Sequence, residues 1–222
     1  MNARELAKHI EHAVLAPQAT EQEVEEAART AMRWGVRALL VKPCHLPLAA
    51  RLLEGSGVMA VTVIGFPHGA HTAETKTYET KQAIASGAHE IDMVLNIGAL
   101  RANDTAAVFS EIRAVVEAAA GRPVKVILET AYLNDTEKQL ACRLASRAGA
   151  GFVKTSTGFG PKGATVDDVR LLRRTVRRPV GVKAAGGIRS YADAMALLQA
   201  GADLLGTSST DAILAEAEAV AA

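Results

Sequence analysis

The chain has 222 residues, 49% of them hydrophobic, with 25 Lys and Arg against 24 Asp and Glu for a formal charge of +1. That length suffices to bury a full core, and the balanced charge, with no basic run, argues against electrostatic recruitment to nucleic acid or an anionic membrane. The longest apolar stretch, near "VMAVTVIGF", is too short to span a bilayer, and Cys44 and Cys142 show neither a disulfide framework nor metal-ligand spacing.

In chain order, "HIEHAVL" (9–15) reads as a strand behind the charged, leaderless start "MNARELAK", where a short N-terminal helix is expected. The amphipathic stretch 20–35 follows, capped by Thr20, and then the strands "RALLV" (37–41) and "AVTVIGF" (60–66). "EIDMVLN" (90–96) precedes a helix over 104–121 opened by Asp104, and "VKVILET" (124–130) and "FVKTSTG" (152–158) come next. "VGVKAAGG" (180–187), a helix over 190–202 opened by Ser190, and "DLLGTSS" (203–209) complete the pattern. Eight strands alternating with helices imply a parallel sheet, most economically a single (β/α)8 barrel over residues 1–222, with an open doubly wound sheet as the alternative.

Side-chain alternation then sorts the strand residues. In 90–96, Ile91, Met93 and Leu95 suit the helix-facing side, which turns Glu90, Asp92, Val94 and Asn96 inward. In 124–130 the same test sends Lys125, Ile127 and Glu129 inward, and Lys154 and Lys183 face the same space from neighbouring strands. A structural ion-pair network would account for one such lysine. Two lysines facing one space favour chemistry, because a second ammonium and partial desolvation depress a lysine pKa and prepare a Schiff-base nucleophile. Lys154 is the expected nucleophile. "AAGGIRS" (184–190) and "GTSST" (206–210), after the seventh and eighth strands, offer backbone amides and hydroxyls to a phosphate, with Gly158 completing the cradle. His68 and His71 in "PHGAH" read as loop histidines, Trp34 as packing, and Glu129 as either an orienting acid or an ion-pair partner.

Taken together, "FVKTSTGFGPKGAT", "VKAAGGIRS", "LGTSS", "EIDMVLNIGAL", "KVILET" and "VIGFPHG" resemble, in order and over nearly the whole chain, the deoxyribose-phosphate aldolase family. The resemblance implies a (β/α)8 class I aldolase that reversibly cleaves 2-deoxy-D-ribose 5-phosphate to acetaldehyde and D-glyceraldehyde 3-phosphate, with no metal or organic cofactor. It assigns Lys154 to the Schiff base, Lys183 to the neighbouring ammonium and Asp92 to proton transfer through water. By the same resemblance Gly158, Gly186, Gly187, Gly206, Ser208 and Ser209 fall on phosphate-contact positions, and Lys125 lines the pocket. Expected partners are the small phosphosugar and aldehyde substrates, with no nucleic acid or membrane partner, a cytoplasmic location, and a homodimer as the assembly to test. The chain departs from the family pattern "IDHTLLKP" at Glu11, Ala13, Val14 and Ala16, has Leu40 where members often carry a cysteine, and ends "AEAEAVAA" without a tail tyrosine. Two readings stay open beside this one: another Schiff-base phosphosugar aldolase or transaldolase-like enzyme, and a weakly active phosphosugar-binding homologue.

Overall fold

The computed structural model describes residues 1–221. Helix α1 (Ala3–Ala7), capped by Asn2, leads into β1 (Ile10–Val14), α2 (Glu21–Trp34) and β2 (Ala38–Val41). Then come α3 (Leu46–Leu52), β3 (Met59–Ile64), α4 (Ala73–Ala85), β4 (Glu90–Val94), α5 (Ile97–Arg101) and α6 (Thr105–Ala118). The second half runs β5 (Val124–Ile127), α7 (Asp135–Ala148), β6 (Phe152–Lys154), α8 (Val166–Thr175), β7 (Gly181–Ala185), α9 (Tyr191–Gln199), β8 (Leu204–Thr207) and α10 (Thr210–Ala221). All eight strands are parallel and pair in sequence order, and β8 closes on β1 to make a (β/α)8 barrel.

Local chemistry accounts for the helix ends. Thr20 caps α2 reciprocally with Glu23, and Gly35, at φ 60°, ends it in the left-handed conformation that glycine adopts without a Cβ penalty. Asp104 and Ser190 cap α6 and α9 through their side chains, as their spacing predicts.

The strand residues divide by parity. Leu39, Val41, Ile91, Met93, Val124 and Val126 join helix residues such as Val24, Ile112 and Leu172 in the main core between sheet and helices. Inside the barrel, Ala38, Leu40, Val61 and Val63 form a small apolar cluster on the β2–β3 side. The opposite half of the interior is charged. Room for it comes from two glycines: a Cβ on Gly181 would lie 2.3 Å from the Phe152 ring, and one on Gly206 would lie 3.2 Å from Cε of Lys183.

Several strands are shorter than predicted. β4 ends at Val94, and Asn96, expected to point into the barrel, instead caps α5 by accepting a hydrogen bond from the Ala99 amide. β5 ends before Glu129, whose φ of 54° breaks the extended run and opens a 3-10 turn at Thr130–Tyr132. β6 ends at Lys154 itself, and β8 ends at Thr207 because Thr210 already begins α10.

Candidate active site

Lys154, the last residue of β6, stands at the C-terminal mouth of the barrel, and its register places it directly beside Lys183 of β7. Both ammonium groups donate to one carboxylate oxygen: Asp92 Oδ2 lies 2.8 Å from Lys154 Nζ and 2.6 Å from Lys183 Nζ. The other Asp92 oxygen accepts from Lys125 at 3.0 Å. Below them, Glu11 pairs with Lys183, and Lys125 donates to Glu90 at 2.6 Å. Arg37 bridges the base, 2.7 Å from Glu11 and 2.5 Å from Glu90, with its guanidinium 6.0 Å from the Phe152 ring centroid.

Burial and charge move these groups in different directions. For Lys154, burial is the largest influence and pushes the ammonium down; the Asp92 carboxylate opposes this, Lys183 lowers it further, and the net value falls to about 8. Burial alone would raise Asp92, but Lys125, Lys154 and Lys183 together hold its carboxyl well below the usual carboxylate range. Lys125 is also desolvated, yet Asp92, Glu11 and Glu90 raise it above an ordinary lysine. Near neutral pH the site therefore holds an ionised acid, a firmly protonated Lys125, and in Lys154 an ammonium within reach of deprotonation.

Lys154 forms part of the wall of an open cavity of about 590 Å³. Gly158, Gly186, Gly187, Gly206, Ser208 and Ser209, the residues matched to phosphate positions, all line that same cavity. Gly158, Gly186 and Gly187 have φ of 91°, 92° and 79°, left-handed turns that present bare backbone to the space. Thr207 ties the loops after β7 and β8 together, its hydroxyl donating to the Ile188 carbonyl at 2.7 Å while accepting from the Ser209 amide at 2.9 Å. Lys125 has a different place from the one the resemblance gave it. It is fully buried beneath Asp92, in the ion-pair network rather than at the cavity wall.

Residues not singled out from the sequence complete the site. Arg189 lines the cavity as an exposed cation next to Gly187. His12 also lines it, nearly buried, with Nδ1 2.8 Å from the Thr210 hydroxyl at the start of α10; burial lowers its pKa and the Asp211 carboxylate opposes this. Glu11, marked in the sequence as a departure from the family's first strand, pairs with Lys183, and Arg37, which the sequence did not mark, joins it there. Parity could have found Glu11, which alternates inward with Ala13, but it turns Arg37 outward, because the next residue, Ala38, faces in.

Glu129 accepts hydrogen bonds from the Thr157 hydroxyl and, at 3.2 Å, from the Thr157 amide, so it orients the turn after Lys154 rather than forming an ion pair. It also lines a neighbouring cavity of about 370 Å³ with Phe159 and the exposed His68. Among the described residues, no group of three or more His, Cys, Asp or Glu is placed to hold a metal ion.

The model of the DeoC/LacD family of aldolases matches residues 6–215. The chain is 52% identical over 209 residues to the deoxyribose-phosphate aldolase of Streptococcus pneumoniae serotype 19F, covering 94% of this chain and 95% of that one. It is 50% identical over 206 residues to deoxyribose-phosphate aldolase 1 of Bacillus licheniformis, covering 92% of each. Among solved structures, the deoxyribose phosphate aldolase of Aeropyrum pernix, described as a unique tetramer, superposes with a TM-score of 0.92 at 36% identity, covering 99% of this chain and 93% of that one.

Proposed function

Because this chain belongs to the DeoC/LacD aldolase family, we propose that it cleaves 2-deoxy-D-ribose 5-phosphate reversibly to acetaldehyde and D-glyceraldehyde 3-phosphate through a Schiff base on Lys154. The observation that carries this reading is a buried lysine with its pKa lowered to about 8, set in the wall of a cavity that the glycine and serine turns after β7 and β8 also line. One end supplies a nucleophilic amine and the other a seat for the phosphate.

In this mechanism the neutral amine of Lys154 adds to the C1 aldehyde of the open-chain sugar, and loss of water leaves an iminium. The cation draws the C2–C3 electrons as the C3 hydroxyl gives up its proton, so glyceraldehyde 3-phosphate departs and an enamine remains. Protonation at C2 and hydrolysis release acetaldehyde and restore the amine. Asp92, hydrogen-bonded to Lys154, would orient the amine and pass protons through water. With its carboxyl held far below the usual range by three lysines, it serves as a relay in transit rather than a resting store of the proton.

The backbone turns at Gly158, Gly186, Gly187 and Gly206, with the hydroxyls of Ser208 and Ser209, would hold the phosphate, and the exposed Arg189 adds a cation at the rim. We place the activity in the cytoplasm, with a homodimer as the assembly to be checked by light scattering.

Borohydride reduction in the presence of deoxyribose phosphate tests the core of this reading. Mass spectrometry should find the reduced adduct on Lys154 of the wild-type chain. Lys154→Leu and Lys154→Arg should lose both adduct and cleavage, since neither side chain provides a neutral amine. Recovery of the adduct on Lys183 would overturn the assignment.

A further inference from the structure

Seven charged side chains fill one half of the barrel interior: the acids Glu11, Glu90 and Asp92, and the bases Arg37, Lys125, Lys154 and Lys183. With every group ionised the bases outnumber the acids by one, and the cluster becomes neutral when a single lysine gives up its proton. The groups that face Lys154 are Asp92 from β4 and Lys183 from β7, backed by Glu11 from β1, Lys125 from β5 and Glu90 from the start of β4. β2 and β3 contribute only apolar side chains such as Leu40, Val61 and Val63, and β8 contributes Gly206.

Arg37 takes no part in the chemistry at the mouth. It immediately precedes β2, at the end of the barrel away from the cavity, where Glu90 and Phe152 also begin their strands. Its side chain is 20% exposed, while those of Lys125, Lys154 and Lys183 are essentially sealed.

We infer that Arg37 is a remote positioning residue that keeps Lys154 deprotonatable, by engaging Glu11 and Glu90 so that the three interior lysines are left one counter-charge short. The inference rests on the reading of Lys154 as the nucleophile. The path is continuous: Arg37 to Glu11, Glu11 to Lys183, Lys183 to Asp92, and Asp92 to Lys154. Arg37 is suited to the task because its guanidinium stays protonated and bonds both acids at once, one nitrogen reaching Glu11 and Glu90 together and the other holding Glu90. Without it, three carboxylates would face three lysines, each lysine would have a matching charge, and all three would retain their protons. The lowered pKa of Lys154 agrees in direction with this deficit of counter-charge.

The test is borohydride trapping on the full-length chain with deoxyribose phosphate over roughly pH 6 to 10. The rate of Lys154 adduct formation should rise with pH through a midpoint in the wild type. Arg37→Met should move that midpoint up, by on the order of one pH unit, and Glu90→Gln should move it down. The double variant Arg37→Met/Glu90→Gln restores the surplus of one positive charge and should return the midpoint to near the wild type. Arg37→Lys, which keeps the charge, should stay close to it. A purely structural role for Arg37 gives no reason for opposite shifts that cancel.

Midpoints that stay put, or that move the same way in both single variants, overturn the inference while leaving the nucleophile assignment intact. Should Arg37→Met fail to fold, the isosteric Glu90→Gln decides alone, and a midpoint no lower than the wild type's overturns it. A wild-type chain that forms no Lys154 adduct at any pH overturns the nucleophile reading and this inference with it.

Discussion

Lys154 is inert as an ammonium and reactive as an amine, so its chemistry turns on where its proton is lost. Burial lowers the pKa more than any single neighbour changes it; Asp92 pulls the other way, and Lys183 supplies the second depressing influence. Because the value is lowered to about 8, the amine fraction, and with it the rate of iminium formation, should climb as pH rises through that region. Lys183→Leu removes one positive charge and leaves Glu11 and Asp92 with fewer partners, so the Lys154 pKa should rise. Each unit of rise lowers the amine fraction near neutral pH about tenfold. The kcat/KM profile should therefore fall steeply at neutral pH and recover toward alkaline pH; a profile of unchanged shape would remove Lys183 from the tuning of the amine.

At the level of elements, the loops around the mouth are held by a second buried charge outside the barrel. Lys76 on α4 is fully buried and donates to the carbonyls of Gly69 and Val94, each at 2.9 Å, and to Glu111 of α6 at 2.6 Å. The other oxygen of Glu111 accepts from the Asn96 amide at 3.0 Å. One lysine thus joins two helices to the segments that follow β3 and β4. Gly69 lets those segments close, since a Cβ there would lie 2.0 Å from the Leu95 carbonyl oxygen. Lys76→Met would strand Glu111 without its counter-ion and leave two carbonyls without a donor. Breaking a buried pair from one side costs about 3 kcal/mol or more, and urea unfolding should show a loss of that size. A loss below about 1 kcal/mol, the worth of an exposed pair, would mean that water reaches the site.

On the scale of the whole molecule, the cavity exists only because the barrel closes: its walls come from β1, α2, the turn after β6, and the loops after β7 and β8. The acids Glu23, Glu26 and Asp211 line it from α2 and the start of α10, which makes the glycine and serine turns the favourable place for an anion. Ser208→Asp adds like charge at an exposed wall position and should reduce the preference for deoxyribose phosphate over deoxyribose by about tenfold or more. Trapping at high acetaldehyde should persist, because Lys154 is untouched. A folded variant with wild-type discrimination would place the phosphate elsewhere. No helix among the described residues is long and apolar enough to cross a membrane.

Strand alternation and helix capping are local, and local rules are legible in a single sequence. The two-residue period of 90–96 and 124–130 was enough to turn Asp92 and Lys125 inward, and the caps at Thr20, Asp104 and Ser190 to start three helices. Distances between strands are not local. That Lys154 and Lys183 donate to the same oxygen of Asp92 depends on register between β6 and β7 and on closure of the barrel across its interior. The depth of Lys125 was settled by the same closure, which buried it under Asp92 rather than at the cavity wall. Arg37 shows the limit most clearly. Parity sends its Cβ outward, but it sits at the open base of the barrel, where a long side chain can reach Glu11 and Glu90; its contact with them is 26 and 53 residues away in sequence and has no period to reveal it.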